Sequence, residues 1–222
     1  VNLNATQDNT FVVNPTATAL ALQALALNSG TLNMNGRNQA VAALSSSNLL
    51  PGTGGNLTSA TAATLTSTGG GNFGGVLSGN LSFTRSGNNT TLLTSAQTYT
   101  GATTIRGGVL QLRDAGALTS TSALNNYFGT LTLDFSNYTT FNATDRIGDT
   151  LPITLFGGSI LLNGTGGITS AETLGTISVQ GGYNVLGSAP GAMGKAPLTV
   201  GNLIRTTGSV VNFSGGSLGV AG

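Results

Sequence analysis

The chain has 222 residues, no cysteine and no histidine, with seven basic and six acidic residues for a net charge of +1. That inventory excludes disulfides and thiolate metal sites, and the singly scattered charges form no basic patch for nucleic acid or anionic lipid. Only 6% of residues are charged; Asn, Thr, Ser and Gly carry the polarity instead, a balance that suits strands joined by tight corners.

In chain order, the strand-like VNLNAT (1–6) comes first, without a Met or a basic-apolar leader, and reads as part of a longer protein. ATALALQALAL (17–27), broken by Thr18 and Gln23, is too short to span a bilayer. Leu20 and Leu22, then Leu25 and Leu27, read as two strand segments with a change of phase. ALALNSGTLNM (24–34) is a first weak copy of a unit: short apolar strand, glycine, short apolar strand. The stretch 56–79 fits no copy cleanly, and TGGGNFGG (68–75) within it reads as a wide corner, because no Lys or helix start follows to make a phosphate loop.

From Ser82 the unit recurs in SFTRSGNNTTLL (82–93), TTIRGGVLQL (103–112), NNYFGTLTL (125–133), ITLFGGSILL (153–162), ISVQGGYNVL (177–186) and LIRTTGSVVNF (203–213). Gly87, Gly108, Gly129, Gly158, Gly182 and Gly208 anchor these copies at successive intervals of 21, 21, 29, 24 and 26 along the chain, the length of one coil of a β-solenoid. Apolar pairs follow the glycine with period 2 (Leu32 and Met34, Leu110 and Leu112, Leu131 and Leu133, Ile160 and Leu162), which buries one strand face. The last two copies slip by one position, at Val185 and at Val211 and Phe213, so a bulge or shifted corner is expected there. The expectation is an all-β chain forming a single β-solenoid domain over 1–222. It has roughly nine or ten coils, weakly patterned over 1–80 and clearly over 81–222, in a rod about 45 Å long.

The segment 97–112, QTYTGATTIRGGVLQL, resembles the autotransporter-associated β-strand repeat, also called the passenger-associated transport repeat. Thr98, Tyr99, Thr100, Gly101, Thr103, Ile105, Gly108 and Leu110 fall on its pattern T-Y-[ST]-G-x-T-x-[IV]-x-x-G-x-L. DRIGDTLPITLFGGSILLNG (145–164), AETLGTISVQGGYNVL (171–186) and LTVGNLIRTTGSVVNFSG (198–215) are similar to sequence that often surrounds it, whereas the stretch 1–80 resembles it only in texture. The resemblance implies a right-handed parallel β-helix, exported across the bacterial outer membrane and displayed at the cell surface or released, with no catalytic residues to carry over. Right-handed crossovers are also the general preference of parallel strands. Neither a signal peptide nor a membrane barrel is recognised in the chain.

Parallel β-helices also include polysaccharide-degrading enzymes, which need clustered carboxylates. The acids are Asp8, Asp114, Asp134, Asp145, Asp149 and Glu172. Asp114 and Asp134, one coil apart, read as solvated corner residues, and Asp145, Arg146 and Asp149 as a local ion pair rather than a cation site. No Gly-Gly-x-Gly-x-Asp calcium repeat occurs. APGAMGKAP (189–197), with Lys195, reads as a corner, and the sequons at Asn56, Asn80, Asn137, Asn163 and Asn212 as by-products of composition.

The expected function is therefore a non-catalytic extracellular structural segment without cofactor or metal, extending as a rod. Low charge leaves few devices against end-to-end pairing. The expected partner is thus a second copy at its end, forming a filament, or neighbouring repeats of a longer chain, with neither nucleic acid nor membrane insertion. Adhesion through a surface glycan is the alternative; Tyr99, Tyr127, Tyr138 and Tyr183 are too sparse and unevenly spaced to mark an aromatic row for it. An enzyme ranks last.

Overall fold

The computed structural model describes residues 2–3, 10–13, 20, 22–137 and 144–216. Among them there is no helix, and every strand pairing is parallel. Numbered in chain order, the largest sheet runs β1 (Asn2–Leu3), β3 (Gln23–Leu27), β5 (Gln39–Ser45), β6 (Asn56–Ser67), β8 (Val76–Arg85), β11 (Thr103–Ile105), β14 (Leu124–Tyr127), β16 (Ile153–Phe156), β18 (Glu172–Gly181) and β20 (Leu198–Arg205). Beside this path β2 (Thr10–Val12) pairs with β4 (Thr31–Asn33), and β4 with β6. A second sheet holds β7 (Gly71–Phe73), β9 (Thr90–Leu93), β12 (Val109–Arg113), β15 (Thr130–Asp134), β17 (Ser159–Asn163), β19 (Tyr183–Ala189) and β21 (Val210–Gly215). The third is a short pair, β10 (Ala96–Gln97) and β13 (Ala117–Leu118).

The glycine intervals are the stacking intervals. Thr103 pairs with Leu124, Leu124 with Ile153, Ile153 with Ile177 and Ile177 with Leu203, which are sequence separations of 21, 29, 24 and 26. Each circuit of chain thus lays its strand on the equivalent strand before it, an all-parallel arrangement consistent with a β-solenoid. Register puts like on like: Leu110, Leu131, Ile160 and Leu186 form one buried column, and Leu65, Phe83, Thr103, Leu124, Ile153 and Ile177 another. A continuous apolar cluster runs from Val13 to Leu186.

Corners between the two large sheets are braced from inside. The column Ser67, Arg85, Ile105, Asn126, Leu155, Val179 and Arg205 mixes apolar members with polar ones. Arg85, fully buried, donates to the carbonyls of Ser67, Thr68 and Asn89. Asn126 accepts from the Gly129 N–H and donates to the Ser159 carbonyl, and Arg205 donates to the Ser209 carbonyl. On the strand after the turn, Asn184 accepts from the Gly158 N–H and donates to the carbonyls of Gly181, Gly182 and Val210. Corner groups that a sheet ladder leaves unpaired are satisfied this way.

Gly108 shows why these corners need glycine: its φ is +61°, and a Cβ there would lie 2.3 Å from the Asn89 carbonyl oxygen of the preceding circuit. Gly108→Ala is expected to lower stability by about 1–3 kcal/mol, the cost of a strained left-handed residue, measured as a shift in the urea midpoint.

The expected slip near the end is real. Register shifts between Leu155 and Phe156, where Leu155 faces Val179 but Phe156 faces Gly181, so Gln180 is bulged; a further residue enters the next corner, and Tyr183 pairs with Val210. Two other expectations need correction. Among the described residues of the 17–27 stretch, Gln23–Leu27 is strand, Leu20 is buried in a turn and Leu22 sits exposed at φ +53°; 17–19 and 21 lie outside them. The 56–79 stretch, assigned to no copy, is fully integrated. β6 pairs with β8 along both halves, with a register shift between Ser59 and Ala63, and part of the Gly-rich corner is strand β7. No glycine divides β6, which hid the repeat.

Candidate functional site

Asp114, Asp134 and Glu172 gather around one buried arginine, Arg146. Pairing of Arg113 with Asp134 brings successive circuits together beside Asp114, which takes φ +55°. Both carboxylates are buried, at 7% and 6% exposure, which corrects their reading as solvated corners. Asp134 accepts from Gln111 Nε2 at 2.6 Å, the Ser136 N–H at 2.9 Å and Ser136 Oγ at 2.6 Å; Asp114 accepts from Arg113 Nε and Asn137 Nδ2, both at 3.3 Å. The physical reason is that each carboxylate meets donors rather than water, one set from its own circuit (Ser136 for Asp134, Arg113 for Asp114) and one from the adjacent circuit (Gln111 and Asn137).

Arg146 is fully buried and lies 4.2 Å from the centre of the Phe135 ring. Its Nη1 donates to the carbonyls of Asp114 (3.1 Å) and Gly116 (2.6 Å), and its Nη2 to that of Asp134 (2.8 Å). Among the described residues no salt bridge joins it to Asp145 or Asp149, so the expected local ion pair is replaced by a backbone clamp. The longest stacking interval carries extra chain, and Arg146 folds back from it to serve carbonyls left without strand partners. Ile147 bridges to Leu118 next to it.

Glu172, at the start of β18, accepts the N–H groups of Arg146 (3.1 Å) and Ile147 (3.0 Å). Burial pushes its carboxyl up to about 7; the two N–H bonds oppose this, and the neighbouring Asp145 carboxylate adds to it. Burial likewise lowers Arg146 to about 10, against the pull of Glu172, Asp134 and Asp114. Chemically, this cluster holds chain in place. Among the described residues no three acids converge as a metal site, and Asp8 lies outside them.

The TYTG motif is also a packing unit. Tyr99 is buried and its hydroxyl meets Thr103 Oγ1, which meets Thr121 Oγ1 at 3.0 Å. Burial raises the Tyr99 phenol well above its ordinary range. A Cβ on Gly101 would lie 2.6 Å from the Leu81 carbonyl oxygen, and Ile105 and Leu110 are wholly buried.

One outward corner is different. Tyr127 pairs with Phe156, and Arg106 follows Ile105, the partner of Asn126, so Arg106, Tyr127 and Phe156 occupy successive circuits. Phe128 and Phe156 meet edge to face with centroids 5.3 Å apart, and the Arg106 guanidinium lies 6.0 Å from the Tyr127 centroid. Sequence reasoning weighed Tyr127 but missed Arg106, Phe128 and Phe156. The signal available was their shared place, immediately before the corner glycines Gly107, Gly129 and Gly157. Tyr183 is exposed one circuit on, and Tyr138 lies outside the described residues. Lys195 pairs by an isolated bridge with Thr169, in a loop whose Met193 is almost fully exposed. Compared with protein-family models, with curated proteins and with solved structures, the chain gives no match.

Proposed function

We propose that the chain is a non-catalytic structural segment of a bacterial surface or secreted repeat protein. It is read as a right-handed parallel β-helix of roughly nine or ten coils that extends as a rod and stacks end to end. The observation that carries this reading is the parallel register of circuit on circuit, in which each strand lies on its equivalent one circuit before. Among the described residues β20 and β21 each pair on one side only, and a strand paired on one side offers its N–H and C=O groups to a further strand. Leu203, Ile204, Val210 and Phe213 are exposed there, beside a cavity of about 560 Å³ lined by Leu186, Leu198, Val200 and Phe213. Such a face takes another parallel circuit, from a second copy or from further repeats of a longer chain. Export and surface display rest on the resemblance of the segment 97–112.

Negative-stain electron microscopy with light scattering across a concentration series tests the assembly. Filaments with an axial repeat of about 45 Å are expected for self-stacking; monomers alone at high concentration would remove the filament and leave the repeats of a longer chain as the occupant. A second reading, a glycan-binding passenger of the same fold, is favoured by the exposed aromatic corner.

A further inference from the structure

Large aromatic side chains left in solvent on a rigid scaffold are unusual enough to need a reason. At the corner before β15 and β17, Phe128 is 67% exposed and Phe156 38% exposed. Phe128 also holds φ +63°, a conformation that disfavours any residue with a Cβ, at a point where the next circuit has Gly157 at φ +68°. Strain of this kind concentrates where a side chain must be presented.

The floor beneath the rings is made for them. A Cβ on Gly157 would lie 2.8 Å from Phe128 Cδ1, and one on Gly181 would lie 2.6 Å from Phe156 Cε2. Each ring therefore lies over a glycine of the following circuit, and the two rings meet edge to face. Ser86, Arg106 and Tyr127 complete an open cleft of about 630 Å³ with the two phenylalanines. Among the described residues no salt bridge joins Arg106 to a carboxylate, so its guanidinium stands beside the apolar rings without a carboxylate partner.

We propose that this corner binds an acidic saccharide, a chain of uronate sugars, with a pyranose C–H face on the more exposed Phe128 ring, which Phe156 braces edge to face, and a carboxylate on Arg106. Sugars offer both an apolar face and hydroxyls, which suits rings beside Ser86. A nucleic acid would need more than one cation here. The site rests on the glycan-binding reading, and the two fail separately.

The test uses the full chain, hexagalacturonate and, as neutral control, maltohexaose, by isothermal titration calorimetry. Hexagalacturonate is expected to bind at least tenfold more tightly than maltohexaose. Phe128→Gly should keep or raise the melting temperature, because glycine suits a left-handed backbone, while weakening binding at least tenfold. Arg106→Gln should abolish the preference for the acidic sugar and its salt dependence. No binding of hexagalacturonate at millimolar concentration, or binding that both variants leave unchanged, overturns the site. Binding of other glycans on an array that Phe128→Gly does not affect overturns the site while sparing the reading.

Discussion

Arg146→Ala is expected to destabilise the protein by about 3 kcal/mol, and to do so locally. Three backbone carbonyls, of Asp114, Gly116 and Asp134, take their donors from this guanidinium. An unsatisfied buried acceptor costs roughly 1–3 kcal/mol. Against that stands the release of a charge whose burial is itself unfavourable, as the lowering of Arg146 to about 10 shows, so the sum stays well below three full penalties. Phe135 also loses the cation over its ring. Arg146→Met restores most of the volume but none of the donors, and should recover less than half of the loss. In a stacked array each circuit leans only on its neighbours. Amide exchange should therefore accelerate at Leu118, which donates to the Arg146 carbonyl, and at Ile147, while β8 and β11 keep their protection. An Arg146→Met variant as stable as the native chain in urea unfolding would show that packing, and not the carbonyl clamp, holds this circuit.

That clamp marks the boundary of what the residue pattern reveals. The stacking intervals were legible because parallel pairing sets like residues on like, and Leu110, Leu131 and Ile160 repeat after the same glycine. The late slip was legible for the same reason, since Val185 breaks the phase where Gln180 is bulged. Arg85 and Asn126 were not: they occupy the same column as Ile105 and Leu155, and only the three-dimensional corner shows that their polar ends reach carbonyls left bare by the turn. Arg146 was misread because its sequence neighbours are acids, whereas its structural neighbours are carbonyls 12, 30 and 32 residues away. The aromatic corner was hidden because Arg106, Tyr127 and Phe156, which share one edge, do not repeat a residue type as the apolar pairs after the glycine do.

Stability is expected to fall as pH rises from about 4.5 to about 7, through Glu172. Its carboxyl has an ordinary value of 4.5 and stands at about 7 in the folded chain, first because burial penalises the charged form and then because Asp145 is beside it. The folded state therefore holds a proton that the unfolded chain has released, over that window. Below 4.5 both states are protonated and the contribution is complete; above 7 both are ionised and it is gone. The difference amounts to roughly 3 kcal/mol, large against the stability of an ordinary domain. Glu172 is 3% exposed, so solvent screens little of it. Melting temperatures across pH 4.5 to 8 should decline for the native chain and lose this component in Glu172→Gln, whatever constant offset the amide introduces. Asp145→Asn should move the midpoint of the decline downward, by removing a like charge. Parallel pH profiles for the native chain and Glu172→Gln would assign the dependence to another group. Because Glu172 opens β18 and pairs with Leu198 of the following strand, ionising it loosens the circuit that seats β20, so the exposed end is expected to assemble more readily in acid than at pH 8.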